Sequence, residues 1–297
     1  MTELNYLKAM LLGAVQGVTE FLPISSSGHL ALTQRWLGLD PGGTEMLLFD
    51  VLAHTGTLAA VAIVFRRQVK SYVVRLFRES SGFGSGKLYA WRIALLAAVA
   101  TLPTAAIGWQ FRDAFQAVFD KPVWIAAGLL ITGVLLAVLV LFPRGRRGWK
   151  DFRLWEVILI GTAQALAIMP GISRSGATIC AACYCGWRRR WAAEFSFLIA
   201  VPAILGVTAI KINDAFGWVP CLRLREHVLS VDSFHGHASV AMPPTIAWGP
   251  VIAGSAVSLL VGVFALKVLL GVVRRAKLHY FAIYCWALAA LVLAGAG

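Results

Sequence analysis

The chain has 297 residues, 59% of them hydrophobic and only 14% charged, with a mean hydropathy of +0.75. Soluble domains run near roughly 45–50% apolar and about 25% charged, so a water-soluble enzyme, a disordered chain and a collagen-like fibre are excluded, and five cysteines are too few for a disulfide-rich scaffold. The formal net charge of +13 would suggest nucleic acid in a soluble protein, but in an integral membrane protein it reports first on orientation, and no nucleic-acid partner is expected.

In chain order, residues 1–10 carry Lys8 as their one basic residue and run into apolar sequence with no small-residue cleavage site, so no removable signal peptide is expected. The apolar segment at about 7–33 is interrupted by Leu22-Pro23-Ile24-Ser25-Ser26-Ser27-Gly28-His29. Proline, glycine and serine runs do not continue a regular helix, and backbone freed at membrane depth survives only where protein buries it or it lines a wet cavity. The segment therefore reads as a re-entrant hairpin. Spans of the required ~20 apolar residues follow at about 47–65, 90–109 and 122–142. A second interrupted segment, about 155–186, carries Pro170-Gly171-Ile172-Ser173-Arg174-Ser175-Gly176 and reads as a second re-entrant hairpin. Spans at about 193–212, 247–271 and 278–296 complete an all-α polytopic membrane protein of six transmembrane helices and two re-entrant hairpins in one membrane domain.

The basic residues alternate between loops as such a layout requires. Arg66, Arg67, Lys70, Arg75, Arg78, Lys87, Arg92, Arg144, Arg146, Arg147, Lys150, Arg153, Arg188, Arg189, Arg190, Arg274, Arg275 and Lys277, 18 of the 27, fall in one set of loops. The opposite set holds Arg35, Arg112, Lys121, Arg223 and Arg225. The first set is thus cytoplasmic and both termini face outward. A shift of 148 lays Gly13, Gln16, Ile24, Ser25, Ser27 and Gly28 on Gly161, Gln164, Ile172, Ser173, Ser175 and Gly176, six of sixteen positions without a gap, and continues to Phe49 over Phe197. Residues 1–148 and 149–297 each hold one hairpin and three spans, an odd number of crossings, so the halves form an inverted repeat whose broken segments converge near the midplane.

Polar groups at that depth are functional candidates by default. The first segment offers Gln16, Glu20, Ser25, Ser26, Ser27 and His29; the second offers Gln164, Ser173, Arg174, Ser175, Gly176 and Thr178. Arg174 is a fork of donors suited to phosphate, and the serines with Gly28 and Gly176 lie where short helices restart and present backbone N–H groups to an anion. Plain helix breaks would account for the turns, but not for a guanidinium at depth. His29, three residues after Ser26, is expected to turn its imidazole toward that hydroxyl for proton transfer, with a structural hydrogen bond as the bland alternative. Gln16 and Glu20 share a helix face; Glu20 could hold a divalent cation, fix the His29 tautomer, or form a structural ion pair with Arg174.

Other residues discriminate less. Asp50 and His54 are an i, i+4 pair that could border the cavity, although capping explains them and Glu45 as well. Glu156 and Glu194 sit near cytoplasmic helix starts, where the helix dipole favours a carboxylate. Cys180, Cys183 and Cys185 lack a second ligand set for a metal cluster, and His235-Gly236-His237 with His227 falls in an outer loop at about 213–246. Trp36, Trp109, Trp149, Trp155, Trp187 and Trp218 lie at segment ends, as an interfacial belt would place them.

At these residues the chain resembles a known family. The run from Gln16 to His29 matches the (Glu/Gln)-x-x-x-Glu and Pro-x-Ser-Ser-x-Gly-His motifs of the bacitracin-resistance family, the undecaprenyl-pyrophosphate phosphatases. Pro170 to Thr178 matches its Pro-Gly-x-Ser-Arg-Ser-x-x-Thr motif, and Glu194–Pro202 and Phe281–Tyr284 are also similar. The resemblance implies a bacterial inner-membrane hydrolase of a polyprenyl pyrophosphate lipid that releases inorganic phosphate, with a site facing the periplasm and a divalent cation, Mg2+ or Ca2+. It carries Glu20, Ser25, Ser26, His29, Ser173, Arg174 and Thr178 over as active-site residues. Gln16 stands where many members have Glu, leaving Glu20 as the one carboxylate of that motif. A homodimer is among the expected assemblies.

The expected mechanism has Ser26 attack the terminal phosphorus while His29 assists proton transfer, or, as a variant, His29 attacking or activating water. The phosphates are neutralised by Arg174, hairpin N–H groups including those near Ser27, Ser175 and Gly176, and a cation held partly by Glu20. The rival class is a transporter or flippase for a polyprenyl phosphate, since inverted repeats with broken helices are also transporter architecture. Phosphate release by protein in detergent, where no gradient exists, discriminates the two.

Overall fold

A computed structural model describes residues 3–41, 43–81, 89–111, 114, 115, 118, 121–142, 145–148, 151–216 and 247–295. The His-Gly-His pair, His227, Cys221, Arg223, Arg225 and Trp218 lie outside these residues, as do Lys87, Arg112, Arg144, Trp149 and Lys150.

Both interrupted segments are helix–turn–helix units. The first helix, α1 (Tyr6–Phe21), starts at Asn5, whose side chain accepts from Lys8 N, and stops at Leu22 because the following Pro23 forces that residue to extended backbone. α2 (Ser26–Trp36) restarts from Ser25. In the second unit α7 (Leu154–Leu166) and α8 (Arg174–Tyr184) flank the Pro170-Gly171 turn, where Gly171 takes φ +88°. At 1.5 Å per residue none of these four helices reaches the ~30 Å of a hydrocarbon core alone.

Five other helices are long and apolar enough to cross a membrane: α3 (Thr44–Val64), α5 (Tyr89–Gln110), α6 (Pro122–Val138, extended by a 3₁₀ turn to Leu141), α9 (Arg189–Phe216) and α10 (Trp248–Arg274). The sixth expected span, 278–296, is α11 (Tyr280–Ala294), an apolar helix of 15 residues, about 22 Å long. With α4 (Arg66–Ser80), these make eleven α-helices among the described residues. Their outer surface keeps Leu102, Leu141, Leu260, Phe264 and Ile283 exposed, as a bilayer rather than water would allow. This is a multi-pass membrane fold.

The packing interlocks early and late parts of the chain. α1 lies along α10 and α7 along α5, while α6 packs on α11 and α10 also packs on α3. Without a hydrophobic drive between helices in lipid, small residues that let backbones approach decide such crossings. A Cβ at Gly13 would lie 2.0 Å from Gly254 O, and one at Gly161 would lie 2.2 Å from Ala100 O. Polar side chains bridge further crossings: Ser258 Oγ donates to Ala53 O at 2.9 Å, and Thr104 Oγ1 to Gly161 O at 3.2 Å.

Three sequence expectations need correction. Within the basic loop 66–92, residues 66–80 form α4: their apolar residues recur at helical spacing but are too sparse to mark a span. Trp187 is fully buried rather than interfacial: it stacks on Phe152 with ring centroids 3.6 Å apart and donates to Glu156 Oε2 at 3.0 Å. Glu156, expected to answer only a helix dipole, is itself fully buried and also accepts from Arg147 and from Arg153 N. Glu194 keeps its place near a helix start and pairs with Arg190 at 2.8 Å.

Candidate active site

The two turns meet, and the meeting is built from matched parts. Ser25 caps α2 by accepting from Gly28 N, and Ser173 caps α8 by accepting from Gly176 N at 3.1 Å. Ser25 Oγ lies 3.4 Å from Ser27 Oγ; Ser173 Oγ lies 3.2 Å from Ser175 Oγ. Ser25 holds φ +71°, a left-handed conformation that a non-glycine residue keeps only where its surroundings enforce it. Ser175 Oγ donates across to Leu22 O, and the Gly28 Cα faces Gly171 so closely that a Cβ would come within 3.3 Å of its nitrogen. Thr132 of α6 fixes the second turn: its hydroxyl accepts from Ser173 N at 3.0 Å and donates to Gly171 O at 2.9 Å.

Glu20, at the end of α1 and 6% exposed, is the centre. Its Oε1 accepts from Arg174 Nη2 at 2.9 Å. Its Oε2 accepts from Ser26 Oγ at 2.7 Å and from Gln16 Nε2 at 3.0 Å, with His54 Nε2 3.7 Å away. Nucleophile candidate, carboxylate and guanidinium, 154 residues apart at the extremes, thus share one contact set.

Two buried atoms there have no hydrogen-bond partner among the described residues, Arg174 Nη1 and Gln16 Oε1. A buried donor left unmade costs about 1–3 kcal/mol and more for a charged group. The open guanidinium N–H can donate to an anion, and the helix starts of α2 and α8 add N–H groups and dipole of the same sign. The acceptor side suits a hard cation: one carboxylate and one unpartnered amide oxygen, the usual protein share where phosphates and water complete the shell. Among the described residues no cluster of three or more His, Cys, Asp or Glu offers a complete protein cage.

Not every expected residue is reachable. Ser26, Ser27, His29 and Arg174 are half-buried, whereas Ser25, Ser173, Ser175 and Thr178 are buried with partners of their own. Thr178 Oγ1 donates to Arg174 O at 2.7 Å and lies 2.6 Å from Ser196 Oγ of α9, so it braces the helix that carries Arg174. His29 departs from expectation. Its Nδ1 lies 2.7 Å from Ser25 O, an acceptor only, so Nδ1 carries the proton and Nε2 accepts from Tyr284 OH at 2.7 Å. Neither nitrogen turns to Ser26, whose proton is directed at Glu20. The Asp50–His54 pair meets through His54 Nδ1 and Asp50 O at 2.7 Å, while the Asp50 carboxylate accepts from Gln34; His54 itself does border the site. Thr132 and Ser196 went unread in the sequence; lone hydroxyls in apolar helices were their signal.

The family model described as bacitracin resistance protein BacA matches residues 9–291. The chain is 38% identical to the undecaprenyl-diphosphatase of Alkaliphilus metalliredigens (strain QYMF) over 96% of its own length and 97% of the relative's. It is 38% identical to the undecaprenyl-diphosphatase of Desulfatibacillum aliphaticivorans, over 98% of both chains, and 37% identical to that of Carboxydothermus hydrogenoformans, over 98% and 97%. Matched over nearly its whole length, and with both turn motifs drawn onto one carboxylate, the chain belongs to the BacA bacitracin-resistance family.

Proposed function

We propose that this chain is a membrane phosphatase that hydrolyses undecaprenyl pyrophosphate to undecaprenyl phosphate and inorganic phosphate, recycling the carrier for cell-wall synthesis and conferring bacitracin resistance. One observation carries the reading: Glu20 binds Ser26 Oγ through one oxygen and Arg174 through the other, beside a guanidinium N–H with no partner. Membership of the family and relatives named undecaprenyl-diphosphatase support it.

Ser26 Oγ attacks the terminal phosphorus and its proton passes to Glu20. The bond from that phosphorus to the bridging oxygen breaks, and undecaprenyl phosphate departs with the electron pair and takes up the proton from Glu20. Water, deprotonated by Glu20, then displaces Ser26 from the phosphoserine, and Glu20 passes that proton to Ser26 Oγ, which restores the hydroxyl and frees phosphate. Arg174 and the N–H groups of the α2 and α8 starts hold the equatorial oxygens; phosphoryl transfer asks the protein mainly for position and neutralising charge. A divalent cation, Mg2+ or Ca2+, would be held by Glu20 and Gln16 Oε1 and would supply further neutralisation of phosphate charge. Proton transfer thus rests on Glu20, while His29, committed to Ser25 and Tyr284, orders the α2 start.

The topology we propose is the inverted repeat of 1–148 and 149–297, with re-entrant hairpins at α1–α2 and α7–α8 and α11 as a short sixth span, in the bacterial inner membrane. The matched caps of Ser25 and Ser173 and the equivalent crossings of Gly13 and Gly161 support the repeat. The basic residues gathered at one set of helix ends support termini on the periplasmic side, and membership of the family supports a site open to that side.

The test is phosphate release from undecaprenyl pyrophosphate by purified protein in detergent with Mg2+ or Ca2+. Release is expected, with ³²P retained on wild-type protein and none on Ser26→Ala; no release with either cation rejects the reading, and full activity of Ser26→Ala rejects the nucleophile.

A further inference from the structure

The proposed chemistry leaves α4 unused. Its sequence, Arg66-Arg67-Gln68-Val69-Lys70-Ser71-Tyr72-Val73-Val74-Arg75-Leu76-Phe77-Arg78-Glu79-Ser80, is amphipathic, and none of its residues is fully buried. At 100° per residue it presents three directions. Tyr72, Leu76 and Glu79 face the bundle: Tyr72 OH donates to Ala90 O at 2.7 Å, and the Glu79 carboxylate accepts from Ala90 N at 2.9 Å and Trp91 N at 3.2 Å. This carboxylate caps the α5 start and fixes how α4 is turned. Arg67, Gln68, Ser71 and Arg75 line a cleft of about 440 Å³ with Tyr89 and Trp191. Val69, Val73 and Phe77 fall on the face opposite that cleft and are 47%, 41% and 69% exposed. Arg66, at the N-terminal end of this apolar stripe with Nη1 donating to Ile63 O at 3.3 Å, and Lys70 beside it carry its charge.

We propose that α4 lies in the membrane interface as a lipid-binding element, with Val69, Val73 and Phe77 in the boundary between head groups and acyl chains and Arg66 and Lys70 on the phosphates of anionic phospholipids. Position and charge choose this occupant. Only Phe65 separates the end of α3 from the start of α4, so α4 emerges at the level where a span leaves the hydrocarbon. Its one acid, Glu79, is engaged with α5, and among the described residues no ion pair holds Arg66 or Lys70. A basic amphipathic helix directly after a span favours an anionic leaflet by about 1 kcal/mol per cation near the surface. The two flanking cations thus predict roughly tenfold or greater preference for anionic over zwitterionic lipid.

The inference rests on α3 and α5 being spans, not on the catalytic scheme. Hydrogen exchange on the full-length protein tests it, in nanodiscs of phosphatidylglycerol against phosphatidylcholine. Residues 66–80 are expected to exchange about tenfold more slowly in phosphatidylglycerol. Arg66→Gln with Lys70→Gln is expected to abolish that difference, and Val69→Ser with Phe77→Ser to speed exchange in both lipids, with phosphate release unchanged in each. Equal exchange of 66–80 in the two lipids overturns the proposal, as does a difference that survives loss of Arg66 and Lys70. Fast exchange of 45–64 and 89–110 in the same samples would instead overturn the spans on which it rests.

Discussion

At the scale of residues, the site works by sharing. Glu20 is at once the acceptor for Ser26, the counter-ion of Arg174 and the neighbour of Gln16. Glu20→Gln keeps the shape but removes the charge, leaving Arg174 buried without a counter-ion and Ser26 without a base. Breaking a buried pair costs about 3–5 kcal/mol, and the low end applies because the Arg174 side chain keeps 17% exposure. Loss of the base adds a fall in kcat of about 10²–10⁴; thermal unfolding and phosphate release measure the two effects separately. Gln16→Glu tests the cation. It would set a second carboxylate where Gln16 Nε2 now lies 3.0 Å from Glu20 Oε2, and like charges so close repel unless a cation lies between them. Activity without added cation should fall, and half-maximal activity should be reached at about tenfold lower Mg2+. The polar types at these positions were legible in the sequence, because membrane depth makes each one conspicuous. The direction of His29 was not: a spacing of three on a helix permits contact with Ser26, but the choice of Ser25 and Tyr284 depends on where α11 packs.

At the scale of elements, the hairpins are held by crossings with no room for a side chain. Gly13→Ala puts a Cβ 2.0 Å from Gly254 O, and Gly161→Ala puts one 2.2 Å from Ala100 O. Both backbones must separate, at about 1–3 kcal/mol or more, and each variant should melt earlier and lose activity as its hairpin shifts. Gly206→Ala is the control: nothing lies within 4 Å of its added methyl, and it should raise stability by about 0.5–1 kcal/mol. The ends of α3, α5, α6, α9 and α10 fell near the expected limits because apolar length is a strong signal. α4 was missed because a helix can be stable at a surface without the apolar length that marks a span.

At the scale of the whole molecule, the chain is threaded through itself. α1 packs on α10, and α7 on α5, so neither half completes its own hairpin support and separate halves should not fold alone. The orientation we propose is checked by impermeant thiol reagents on intact cells. Cysteine introduced at Trp36 should label from outside and cysteine at Arg274 only after the membrane is opened; labelling of Arg274→Cys in intact cells would invert the assignment.

The sequence alone determined the environment, the five long spans, the two broken segments and the residue types that bear charge inside them. These follow from the cost of taking charge and free backbone out of water, which is local and additive along the chain. Only the tertiary structure decided that Ser26 and Arg174 meet on one carboxylate, that Glu20 rather than His29 faces Ser26, that Glu156 and Trp187 are buried together, and that one face of α4 is left exposed. Those outcomes depend on which helices touch, and that is set by close crossings at single glycines between segments more than two hundred residues apart, such as Gly13 and Gly254, which no local pattern encodes.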